Sequence, residues 1–121
     1  MNAVIDTNVL VDYLRGIEAA REELLRYNAP AISLITWMEI LVGAQSDEEE
    51  HLLRNFLDRF ELLPITQAVA DQAVHIRRAD RLRLPDAIIW ATARNQNALL
   101  VTRNTRDFPP DHPSIRIPYQ I

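Results

Sequence analysis

The chain contains no cysteine, so neither a disulfide framework nor a thiolate metal site is open to it. Lysine is missing too: all thirteen basic residues are arginine. That excludes any mechanism that turns on a lysine amine. Arginine offers a bidentate fork suited to phosphate, although genome base composition accounts for an all-arginine chain as readily. No apolar run approaches the roughly 20 residues of a membrane span, and no charged-then-apolar secretory start is present. Repeats, low-complexity stretches and linkers are also absent. The expectation is a soluble cytoplasmic protein with one domain over residues 1–121, long enough to bury about two-thirds of its unfolded surface. The formal net charge of -4 argues against nonspecific coating of nucleic acid, but leaves room for a local basic face beside an acidic pocket.

The first informative stretch is Asn2 to Leu10. The short apolar run Ala3 to Ile5 reads as a buried strand, which puts Asp6 at its carboxyl end. In open α/β sheets the ligand crevice lies outside the carboxyl ends of the strands. Asp6, Thr7 and Asn8 are all good helix-capping types, but one cap needs only one of them. Two helices follow, Val9 to Leu14 and Ile17 to Tyr27, separated by Gly16, with Leu24 and Leu25 on the apolar side of the second. Ala31 to Leu34 reads as the next strand.

Thr36 then reads as the cap of a helix over Trp37 to Gly43 that is apolar all round except for Glu39, and so buried. Thr36 and Glu39 match a capping box, which explains Glu39 locally. A carboxylate among Trp37, Met38, Ile40 and Leu41 otherwise needs a positive partner, which a metal would supply. From Ser46 to Phe60 the pattern is an acidic-fronted helix with Leu52, Leu53, Phe56 and Leu57 inward, and Leu62 to Ile65 is a third strand. Thr66 caps a helix from Ala68 to about Leu82, with Ala70, Ala73, Val74 and Ile76 as candidate buried positions. Arg77, Arg78 and Arg81 fall on neighbouring helical rows, close to Arg83, and make a basic patch suited to a phosphate backbone. The preference of cations for a helix's carboxyl end explains part of that signal.

Leu84 to Asn95 places Pro85 and Asp86 at the start of a helix with no polar face, as expected at the centre of a fold. Leu99 to Thr102 is a fourth strand, with Asn104 and Asp107 beyond its carboxyl end, and Ile115 to Ile117 can add a last one. Four carboxylates, Asp6, Glu39, Asp86 and Asp107, therefore stand at strand ends or helix starts. Each has a local explanation; together they point to one crevice. Magnesium and manganese take oxygen ligands and retain waters that become nucleophiles, and two such ions about 4 Å apart clamp a phosphodiester. His51, His75 and His112 read as surface or packing residues.

The stretches Val-Ile-Asp-Thr-Asn-Val-Leu, Ser-Leu-Ile-Thr-Trp-Met-Glu with Gly43, Leu-Pro-Asp-Ala-Ile-Ile-Trp-Ala-Thr-Ala, and Val-Thr-Arg-Asn-Thr-Arg-Asp-Phe resemble the four blocks of PIN-domain ribonucleases. Length and block spacing are similar to the VapC toxins of bacterial toxin–antitoxin pairs. The resemblance implies a three-layer α/β/α sandwich on a mostly parallel sheet, RNA hydrolysis with one or two magnesium or manganese ions, a small cognate antitoxin and a homodimer. It implies that Asp6, Glu39, Asp86 and Asp107 are the metal-binding acids, with Asp6 and Asp86 foremost. Thr7, Asn8, Thr102 and Asn104 match its supporting polar positions, whereas Asp12, Asp71 and Asp80 match none and read as surface. Attack by an activated water should leave a 5′ phosphate, with the arginines at 77–83 or Arg103 and Arg106 holding the flanking backbone. A phospho-accepting receiver domain also gathers acids at strand ends but needs a lysine. A DNA-directed nuclease of the same fold and a non-catalytic binding module remain as alternatives.

Overall fold

A computed structural model describes residues 2–121. Strand β1 (Ala3–Ile5) leads into α1 (Thr7–Leu14) and α2 (Glu18–Leu25), with Gly16 turning the chain between them at φ 83°. Then follow β2 (Ala31–Ser33), α3 (Leu34–Val42), α4 (Asp47–Leu57), β3 (Glu61–Leu63), α5 (Gln67–Asp80), α6 (Leu84–Asn95), β4 (Leu99–Val101) and β5 (Ile115–Arg116). The strands form one sheet in the order β3-β2-β1-β4-β5, and every pairing is parallel. Parallel neighbours need crossovers, which is why helices separate the first four strands and come to lie on both faces.

Side chains alternate across a strand, so each short strand feeds two cores. Val4, Ala31, Leu63, Leu100 and Ile115 pack under α5 and α6 with Trp90 and Phe108. Ala3, Ile5, Ile32 and Val101 pack on the other face with Val9, Leu10, Leu24, Phe56 and Leu57. This is the three-layer α/β/α sandwich that the resemblance implied, with a sheet that is wholly parallel.

Helix α6 covers the residues expected of it, and Ala87, Ile89, Trp90, Ala91, Thr92 and Ala93 are all buried. Other expectations need correction. Helix α3 starts directly from β2: Ser33, not Thr36, caps it, accepting the Ile35 amide at 3.2 Å. Glu39 therefore sits too far along the helix for a capping box. Nor is α3 buried all round, since Met38 is 40% and Val42 85% exposed, and Glu39 faces solvent. Leu25, Leu52 and Val74 are also exposed, and Ala70 is half-buried, because each helix packs on one side only and its inward stripe is narrower than its apolar content. Among the described residues no helix is long and apolar enough to cross a membrane.

Candidate active site

Strand order reverses at β1. The chain steps from β1 outward to β2 and β3, then returns through α5 and α6 to β4 on the other side. The carboxyl ends of β1 and β4 thus flank a topological switch point, where the two halves diverge and leave a crevice. Asp6 follows β1 directly and Thr102 follows β4.

Asp6 is both things the local pattern allowed: it caps α1 and faces the crevice. Its Oδ1 accepts the Thr7 amide at 2.7 Å, while Oδ2 accepts the Thr102 hydroxyl at 2.7 Å and the Asn8 amide Nδ2 at 3.3 Å. Only 4% of the residue is exposed. Burial pushes its carboxyl up to about 6; the Thr102 and Thr7 hydrogen bonds oppose this, and repulsion from Asp86 and Glu39 adds to it.

Glu39 reaches the site from α3 and is held by Thr7, whose hydroxyl lies 2.7 Å from Oε1. Thr7 Oγ1 is also 3.0 Å from the hydroxyl of buried Thr36. One hydroxyl carries one proton, so Thr36 donates to Thr7 and Thr7 to Glu39. Asp86, in the first turn of α6, is 8% exposed; burial raises its carboxyl, Arg83 lowers it, and Asp107 and Glu39 raise it again. Arg83 Nε lies 3.4 Å from Asp86 Oδ2. Asp107 is half-buried and accepts Asn104 Nδ2 at 2.9 Å, while Asn104 Oδ1 closes the loop on the amides of Arg106 and Asp107.

The four sequence-read acids thus act on one another electrostatically, and Thr7, Asn8, Thr102 and Asn104 each hold part of the set. Arg77, Arg78 and Arg81 are exposed and make no side-chain ion pair among the described residues. The three-residue link 81–83 sets them near the amino end of α6, where Asp86 lies.

Two residues overturn their sequence reading. Asp12 was expected at the surface, yet it is 1% exposed and pairs with Arg103 through both oxygens, at 2.6 and 3.1 Å. Arg103 is therefore committed within the protein rather than free for a substrate. The available signal was its place three residues after Val9 on the buried stripe of α1. Asp71 and Asp80 are exposed, as expected.

As the side chains stand, no group of three or more acidic or histidine residues among those described is close enough to hold a metal ion. The donor chemistry nevertheless fits a hard divalent cation. The donors are all oxygen, they repel one another, and among the described residues the one cation paired to them is Arg83, whose side chain is 78% exposed.

At the switch point of a parallel sheet, mutually repelling carboxylates on hydroxyl and amide supports define an acid-rich site. The PIN domain family profile matches residues 3–109, and the chain belongs to that family. Ribonuclease VapC10 of Mycobacterium tuberculosis is 34% identical over 114 residues, covering 88% of this chain and 85% of that protein. The tRNA(fMet)-specific endonuclease VapC of Shigella flexneri is 30% identical over 116 residues, covering 87% and 88%. A toxin–antitoxin complex from Klebsiella pneumoniae contains a chain superposing with a TM-score of 0.92 at 42% identity, covering 98% of this chain and 99% of that one.

Proposed function

We propose that the chain is a divalent-metal-dependent endoribonuclease and the toxin of a toxin–antitoxin pair. What supports this reading is the mutual repulsion among Asp6, Glu39, Asp86 and Asp107, which together with burial raises Asp6 and Asp86. The names of the relatives, ribonuclease and tRNA(fMet)-specific endonuclease, support RNA as substrate.

Asp6 and Asp86 are the direct metal ligands, joined by Glu39 and Asp107. A bound magnesium or manganese ion, singly or as a pair, would neutralise this charge and supply an activated water for phosphodiester hydrolysis. Thr102 and Asn8 fix the Asp6 carboxylate, Thr7 aims Glu39 and Asn104 aims Asp107. The exposed Arg77, Arg78 and Arg81 hold the flanking phosphates, as does Arg106 beside the crevice loop. An apolar groove of about 650 Å³ opens next to Glu39, lined by Val11, Leu14, Ile40, Leu52 and Leu53. Its exposed Leu14 and Leu52 give the antitoxin a face to cover.

The test is incubation of purified protein with mixed cellular RNA in magnesium, in chelator, and as Asp86→Asn, followed by mapping of product ends. Metal-dependent cuts at a few sites with 5′ phosphates, absent in the variant, are expected. Cyclic phosphate ends, or manganese binding without RNA cleavage, would overturn the reading.

A further inference from the structure

Buried Asp12 and half-buried Arg103 and Tyr119 form a polar cluster that none of the assigned site residues explains. The Asp12 carboxylate accepts from Arg103 Nε and Nη2 and, at 2.8 Å, from the Tyr119 hydroxyl. Burial pushes its carboxyl up, yet the hydrogen bonds from Arg103 and Tyr119 and the Arg103 charge outweigh this and hold it below the usual value. The three residues come from α1, from the loop after β4, and from the segment after β5, so one carboxylate ties together segments as far as 107 positions apart.

The cluster continues into the acidic site through the Arg103 backbone. The Arg103 amide donates to Asn8 Oδ1 at 3.2 Å, and Asn8 Nδ2 faces Asp6 Oδ2 and Thr102 Oγ1. On the far side of Arg103, the Asn104 amide donates to Thr102 Oγ1 at 3.0 Å, and Asn104 in turn holds Asp107. Residues 102–104 therefore carry the supports of Asp6 and of Asp107; Thr102 is tied down through Asp6, and Arg103 adds a second side-chain anchor, to Asp12. A cleft of about 370 Å³, lined by Asn8, Arg103, Asn104, Arg106 and Gln120, runs along the outside of the loop.

We infer that Asp12 is a positioning residue for the acidic site, acting through Arg103 on Asn8 and on residues 102–107, with Tyr119 completing its hydrogen bonding. It touches no substrate. Outer hydrogen-bond partners of metal ligands are worth about 10–100-fold in metal affinity or activity. The same order applies to Asp12, and a smaller loss to the single Tyr119 hydroxyl. The inference rests on the nuclease reading for its effect on catalysis, but not for its effect on the loop.

The test compares Asp12→Asn and Tyr119→Phe with the wild-type full chain, using amide hydrogen exchange at Asn104 and Asp107, Mn²⁺ titration without RNA, and steady-state RNA cleavage. The expected result is faster exchange at both amides. Mn²⁺ affinity should fall roughly 10-fold or more in Asp12→Asn and less in Tyr119→Phe, with kcat reduced and KM for RNA unchanged. A folded variant with wild-type exchange and wild-type Mn²⁺ binding would overturn the inference. Should Asp12→Asn not fold, Tyr119→Phe decides alone, since it removes one hydroxyl and no charge. Wild-type protein that binds no Mn²⁺ and cuts no RNA, while the variants still exchange faster, would refute the nuclease reading and leave the positioning role standing.

Discussion

The Thr102 hydroxyl donates to Asp6 Oδ2 at 2.7 Å across 96 residues of sequence, joining the carboxyl ends of the two adjacent central strands β1 and β4. Thr102 is itself fully buried, so this bond is sealed from water. Thr102→Val keeps the shape and removes the donor, leaving a buried carboxylate short of one partner at a cost of about 1–3 kcal/mol when that carboxylate is ionised. The variant should fold, lose Mn²⁺ affinity and cut RNA roughly 10- to 100-fold more slowly. A titration and a cleavage assay on the same preparation check this, and wild-type values in both would contradict it.

Asp86 sits in a repulsive site, and removing its charge relieves Asp6. Asp86→Asn should therefore melt at a higher temperature than wild type in chelator at neutral pH, while losing activity by about 10²-fold or more. Magnesium should raise the wild-type melting temperature and leave that of the variant nearly unchanged. Differential scanning calorimetry with and without magnesium reads both effects. A variant less stable than wild type in chelator would show that the site stores no charge strain.

Glu23 gives the acid sensitivity of the fold. Burial pushes its carboxyl up, but hydrogen bonds from Arg116 and Tyr27 and the charges of Arg116 and Arg26 hold it below its ordinary 4.5. A depressed carboxylate contributes stability above its unfolded pKa and loses that contribution as pH falls through the folded value. Resistance of the wild type to urea should thus fall below about pH 4.5. Glu23→Gln should be less stable by about 1–3 kcal/mol at pH 7, with the gap closing in acid. A gap that does not change with pH would remove the ion pair from the explanation.

The exposed arginines at the end of α5 make a salt-dependence test. If each of Arg77, Arg78 and Arg81 neutralises a phosphate, replacing one by Gln lowers the slope of log affinity against log salt by about 1, whatever the RNA sequence. Binding of catalytically silenced Asp86→Asn to RNA over a salt series measures it. An unchanged slope in all three variants would move the backbone contact to Arg106 and its surroundings.

Local pattern carried the parts of this protein whose role is decided by immediate neighbours. The β1 run reads as a strand because three apolar residues end in cap-forming polar ones, and α6 reads as central because it has no polar face. Asp6, Asp86 and Asp107 stand out because each interrupts or follows such a run. What local pattern could not carry is which side of a helix is covered. Val42 and Leu52 are as apolar as Ile40 and Leu57, yet α3 and α4 turn them to solvent. Glu39 reads as a cap because Thr36 lies three residues before it; the start of α3 at Leu34 undoes that spacing and leaves Glu39 to Thr7. Asp12 reads as a surface charge and Arg103 as a phosphate contact, and they become an ion pair around a buried carboxylate because β1 and β4 are neighbours although 91 residues separate the partners. Periodicity reports only along one element, whereas burial of a charge depends on what another element brings to meet it.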